Sequence, residues 1–187
     1  MEVTARKNKQ YAVIFEVQAY TGLRISELLA LEVSDLDGHT LHVKGTYDNH
    51  TRSATKGEKT LPKTSKSYRD VVISERIRTL IADQIEANQL ITHKRNDYIF
   101  TTRKGNPYLV GVLNAFLRKN KADMAVTGKL STHIFRHTHI SMLAENNVPL
   151  HIIMQRVGHS DRKVTESIYL HVTRKMKTDL FDVLENL

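Results

Sequence analysis

The sequence predicts an α+β domain, mostly α-helical, with a small antiparallel sheet or β-hairpin in its N-terminal half. Three observations predict it. Apolar residues recur at helical spacing through most of the chain, a two-residue alternation is confined to short stretches near residues 40 and 70, and a polar, lysine-rich segment lies between those stretches. With three prolines and eight glycines in 187 residues, the chain is an ordinary globular one, long enough to bury roughly 70 % of its unfolded surface in one domain.

Each element has its own signal. Gln10 to Tyr20 is strongly apolar and Ser26 to Leu31 follows a Thr21-Gly22 break, so two helices joined by a tight turn are expected, with Arg24 at their junction. Asp35-Leu36-Asp37-Gly38 is a turn and Thr40 to Val43 alternates as a strand. Thr46 to Ser67 (TYDNHTRSATKGEKTLPKTSKS) reads as an exposed hairpin or small sheet with basic tips, and Arg69 to Ile73 as another strand. Ser74 and the first-turn Glu75 open a helix whose Ile77, Leu80, Ile81 and Ile85 share a face. Tyr98 to Phe100 is a short extended piece. The turn Lys104 to Pro107 leads into a helix through Val110, Leu113, Phe116 and Leu117. Helices are then expected over Thr132 to Asn146, Pro149 to Val157 and Val164 to Val172. A separate amphipathic tail over 173–187, with Leu180, Phe181 and Leu184, can pack in cis on this domain or in trans on another.

The absence of cysteine excludes disulfides and leaves any zinc site to histidines and carboxylates, which fits a reducing cytosol. The opening MEVTARKNKQ has no apolar signal core and no stretch approaches the ~20 apolar residues that span a bilayer, so a cytoplasmic protein without membrane contact is expected. A formal charge of +8 and a pI near 9.7 form the electrostatic footprint of a nucleic-acid partner.

The stretch THIFRHTHIS, residues 132–141, sets basic groups among core-forming ones. On a helix His133, Arg136 and His137 lie at i, i+3 and i+4 and share a face, while Phe135 and Met142 point away. Ser131 or Thr132 can cap this helix, which puts His133 in the first turn, where free N–H groups favour an anion. One reading of these histidines is plain packing. Another is a metal site, but position 134 is Ile where a zinc-protease helix has Glu, and Arg136 would set a fixed charge beside the ion. The third is phosphate chemistry, in which an arginine fork binds two oxygens and neighbouring histidines donate hydrogen bonds or move protons.

Further parts for the third reading stand downstream, where Val157-Gly158-His159-Ser160 is followed ten residues after His159 by Tyr169 in SIYLHV. Together with Thr21-Gly22-Leu23-Arg24-Ile25-Ser26-Glu27 and LPKTSKSYRDVVI, these segments resemble, in order, the signature of the tyrosine recombinases, the phage-integrase family: a first arginine box, a lysine hairpin, a His-x-x-Arg box, a Gly-His box and a nucleophilic tyrosine. Five boxes between Arg24 and Tyr169 cover nearly the whole chain.

The resemblance implies a tyrosine-recombinase-like catalytic domain over 1–187 that lacks the family's N-terminal DNA-clamping domain. It also implies site-specific recombination or integration of double-stranded DNA, in a synaptic tetramer of protomers when full length, through a 3′-phosphotyrosyl intermediate and with neither metal nor nucleotide cofactor. By position in the boxes, Tyr169 is the nucleophile, Arg24 and Arg136 clamp the phosphate, and His133 is base or hydrogen-bond partner. His159 is a further donor and Lys63 the general acid, with Lys66 as the alternative. Glu27, Asp35 and His137 support them, His139 is a packing group, and Lys56, Lys66 and Arg69 contact the DNA backbone. A type IB topoisomerase-like relaxer shares this chemistry without synapsis, and a non-catalytic DNA-binding module would keep the fold alone.

Overall fold

The computed structural model describes residues 1–48, 58–60, 68–91, 97–158 and 162–185. The expected class is found: eight helices and two small antiparallel sheets among the described residues. A short helix α1 (Glu2–Lys7), absent from the sequence reading because its residues are polar, precedes α2 (Lys9–Thr21), whose first turn is capped by the Asn8 side chain accepting the Tyr11 N–H at 3.1 Å. α2 ends where Gly22 takes the left-handed conformation (φ 70°), and α3 (Ile25–Leu29) follows at once.

After a 3₁₀ turn (Val33–Asp35), β1 (Leu36–Asp37), β2 (Thr40–Val43) and β5 (Arg69–Val72) form a sheet in the order β1-β2-β5, while β3 (Thr46–Asp48) pairs with β4 (Glu58–Thr60). In the β2–β5 register Leu41 faces Val71 and Val43 faces Arg69. Alternation therefore sends Leu41, Val43, Val71 and Arg69 to one side of the sheet, and His42, Asp70 and Val72 to the other.

The remaining elements are α4 (Glu75–Ile91), α5 (Val110–Lys119), α6 (His133–Glu145), α7 (Leu150–Val157) and α8 (Arg162–Glu185). The main core joins Phe15 of α2, Leu28 of α3, Leu41, Ile77 and Ile81 of α4, and Leu113 of α5. A second core joins Ile140 and Ala144 of α6, Ile153 and Val157 of α7, and Val172 of α8. α6 is the seam between them: its first turn packs Ile134 and Phe135 on the main core, with Phe135 stacked on Phe15 at 4.8 Å, and its later turns build the second.

Two expectations change. The Val164 to Val172 helix and the tail are one continuous helix, because Arg162–Glu185 contains no glycine or proline to stop it. Thr132 does not cap α6, since its backbone is already helical (φ −58°, ψ −22°) and its side chain is buried; instead Asn114 of α5 accepts the Thr132 N–H at 2.9 Å. No helix among the described residues is long and apolar enough to cross a membrane.

Candidate functional site

The Gly22 turn delivers Arg24 in extended conformation to the start of α3, where Glu27, one turn in, reaches back to it. Glu27 Oε2 accepts the Arg24 backbone N–H at 2.9 Å and Oε1 accepts from Arg24 Nη1 at 2.8 Å. From β5, Arg69 donates Nη1 to Oε1 at 3.0 Å and Nη2 to Oε2 at 2.7 Å, a two-pronged pair on the same carboxylate. Glu27 is 3 % exposed. Burial pushes its carboxyl up, but the hydrogen bonds and charge of Arg69, with those of Arg24, outweigh this and hold it below its ordinary value.

α6 supplies the second arginine. Arg136, 3 % exposed, donates Nη1 to the Gly22 carbonyl and Nη2 to the Val157 carbonyl, both at 2.7 Å. It thereby ties the turn ahead of Arg24 to the end of α7. One turn along α6, His139 bonds the Ala19 carbonyl through Nδ1 at 2.9 Å, and its Nε2 receives Arg156 Nε at 2.9 Å. That pairing requires the neutral ring protonated at Nδ1. Burial, then the charge of Arg156, push the His139 pKa down to about 4, consistent with that tautomer.

Two glycines let these parts meet. A Cβ on Gly22 would stand 2.4 Å from His139 Cδ2. At Gly158, with φ 90°, a Cβ would stand 3.3 Å from Arg69 Nη1 and 3.5 Å from Arg24 Nη1. Arg24 and Arg136, distant in sequence, therefore converge at the carboxyl end of α7, the first directly on Gly158 and the second on the carbonyl beside it. Among the described residues Arg24 and Arg69 share the Glu27 carboxylate, whereas Arg136 and Arg156 are held by backbone carbonyls and by His139. Such an excess of fixed positive charge suits a phosphate.

His133 is exposed, one turn ahead of Arg136 on α6, and His137 is exposed beside it. Tyr169 lies half-buried on α8, packed on the second core that Val157 of α7 also joins. Asp35 is buried: it accepts the Glu32 N–H at 3.0 Å and pairs with Lys44 at 2.9 Å, holding the 3₁₀ turn that follows α3. Arg69, expected at the DNA backbone, has a side chain 8 % exposed and turned in to Glu27, with Nε donated to the Arg156 carbonyl at 2.8 Å. Lys56, Lys63, Lys66 and His159 lie outside the described residues. Sequence reasoning missed Arg156, in the last turn of α7 two residues before Gly158, which no local signal marks because its partners are distant along the chain.

A profile of the phage integrase family matches residues 1–176. The chain belongs to the phage integrase family. Among its relatives, the integrase of Staphylococcus phage L54a is 41 % identical over 179 residues, covering 92 % of this chain and 51 % of that protein. The prophage ps2 probable integrase of Lactococcus lactis is 38 % identical, covering 98 % of this chain and 50 % of that protein. The chain thus spans about half the length of these phage-integrase relatives. Of solved structures, the Tn1549 transposon integrase in complex with transposon right end DNA superposes with a TM-score of 0.71 at 21 % identity, over 94 % of this chain and 64 % of that one. XerH site-specific recombinase, in a post-cleavage complex with a palindromic difH substrate, gives 0.68 at 18 % identity, over 99 % and 48 %. These two likenesses establish the tyrosine-recombinase catalytic fold.

Proposed function

We propose that this chain is the catalytic domain of a site-specific DNA recombinase of integrase type, acting in the bacterial cytoplasm on double-stranded DNA. The observation that carries the reading is the convergence of Arg24 and Arg136 on the carboxyl end of α7 at Gly158. In this reading the Tyr169 oxygen attacks a backbone phosphorus, a 3′-phosphotyrosyl bond forms and the bond to the 5′ oxygen breaks. A phenol with a pKa near 10 must shed its proton, which His133 takes up, while Lys63 protonates the departing 5′ oxygen. Arg24 and Arg136, joined by His159, offset the charge on the nonbridging oxygens in the pentacoordinate transition state. Attack by a 5′ hydroxyl of the second duplex then reverses the chemistry, so no phosphodiester energy is lost.

Glu27 serves this site by fixing Arg24, and Arg69 acts through Glu27. Lys56 and Lys66 are the proposed contacts to the DNA backbone. The end of α8 leaves Phe181 and Leu184, one turn apart, 60 % and 58 % exposed, which favours docking of this tail on a neighbouring protomer of a synaptic tetramer over packing in cis.

The test is a nicked suicide duplex selected from genomic fragments, on which cleavage traps protein covalently. The chain is expected to form the adduct, Tyr169→Phe to form none while binding the duplex with unchanged affinity. Equal trapping by the mutant overturns the assignment. Joining of two separate duplexes distinguishes a recombinase from a relaxing topoisomerase.

A further inference from the structure

We propose that Arg156 is a positioning residue for strand cleavage: it pins the last turn of α7 so that Gly158 stands in fixed register with the Arg24 and Arg136 clamps. The inference rests on the function proposed above. Its basis is the number of separate elements that meet at this one residue.

Arg156 donates Nε to His139 Nε2 of α6 at 2.9 Å, Nη1 to the Val72 carbonyl of β5 at 2.9 Å and Nη2 to the Tyr20 carbonyl of α2 at 3.3 Å. Its own carbonyl accepts Arg69 Nε at 2.8 Å. Side chain and backbone are thus both held, by four bonds from three other elements, α2, β5 and α6. The next carbonyl, that of Val157, receives Arg136 Nη2 at 2.7 Å, and the next α-carbon, that of Gly158, lies against the Arg24 and Arg69 guanidiniums. One residue therefore precedes both points at which the proposed phosphate clamps touch α7.

The chemistry requires arginine. Three acceptors lie in three directions around the group, which a planar guanidinium with five N–H donors can serve together and a single ammonium cannot. The acceptor on α6 is also specific: His139 gives its own proton to Ala19, which leaves Nε2 as the lone pair that Arg156 uses. Displacements on the order of 1 Å at a reacting centre cost about 100-fold in rate. Loosening this turn should therefore slow the chemical step more than it weakens DNA binding.

The test compares Arg156→Lys and Arg156→Met with the unmodified chain. Single-turnover cleavage is measured on a saturating nicked duplex, with the Kd for the same duplex and the folded fraction at assay temperature measured separately. The expected result is a cleavage rate per folded molecule lowered roughly 10- to 100-fold in both variants, a Kd changed less than threefold, and partial recovery of Arg156→Met by added ethylguanidinium. Unchanged rates per folded molecule would leave Arg156 a stability group only and overturn the proposal, and a loss confined to Kd would make it a DNA contact and overturn it equally. Failure of the unmodified chain to form any adduct sinks the recombinase reading and this inference together, whereas normal adducts with unaffected variants remove the inference alone.

Discussion

Replacing Glu27 by glutamine removes the negative charge that Arg24 and Arg69 share. The side chains of Glu27, Arg69 and Arg24 are 4 %, 8 % and 23 % exposed, so the Arg69 half of the pair is dry and the Arg24 half partly screened. Breaking a buried ion pair from one side costs about 3–5 kcal/mol, because the remaining charge stays buried without its counterion. Glutamine keeps one carbonyl oxygen as an acceptor, which places the expected loss near the lower limit, about 3 kcal/mol. For a chain of 187 residues this lowers Tm by roughly 6–12 °C, at about 2–4 °C per kcal/mol.

The pH dependence gives a second, independent reading of the same residue. The carboxyl is held below the ordinary 4.5 by Arg69 and Arg24 against burial, so the unfolded chain binds this proton first as pH falls. Its stabilisation is complete above pH 4.5 and disappears as pH drops through the lower folded value. Thermal unfolding followed by circular dichroism should therefore show a wide gap between the two proteins at pH 7.5 that narrows as pH falls below 4.5. A Glu27→Gln protein melting within 2 °C of the parent at pH 7.5, or a gap indifferent to pH, would refute the account of Glu27 as the charge that holds Arg24.

Two further perturbations follow from the same geometry. Gly22→Ala combines φ 70° with a Cβ 2.4 Å from His139 Cδ2, so it should destabilise by about 2–4 kcal/mol in urea unfolding; a cost below 0.5 kcal/mol would mean that the turn and α6 are not packed as described. His139, lowered to about 4 by burial and Arg156, stays neutral while the unfolded chain protonates near 6.5. It therefore contributes stability above pH 6.5 that falls by up to about 1.4 kcal/mol per pH unit, roughly 3 kcal/mol in all, as pH drops to 4. His139→Gln should flatten the stability profile in that window, and an unchanged slope would contradict the neutral ring.

Much of this was legible in the sequence because it depends on local spacing. The stripe Ile77, Leu80, Ile81 and Ile85 marked α4, and the alternation of Thr40 to Val43 marked β2. Arg24 with Glu27, and His133 with Arg136, were found from i, i+3 spacing and the order of the boxes, and His139 was read as a packing group. Arg69 was read as a contact to the DNA backbone, although it opens a strand. Its parity with Val71, two residues on along one strand, carried the inward direction that the register with Val43 makes visible. Thr132 went astray for a related reason, since capping depends on backbone angles that residue type alone leaves open. Arg156 was out of reach, because its partners lie 17, 84 and 136 residues away along the chain.

The central claim is that Tyr169, on the helix packed beside α7, is the group that becomes joined to DNA. Protease digestion of the trapped adduct followed by mass spectrometry tests it directly, since the chain holds seven tyrosines. The account predicts a nucleotide phosphate on the peptide containing Ser167-Ile168-Tyr169 and on no other. A phosphotyrosyl bond at any other tyrosine, or a noncovalent complex alone, would contradict it.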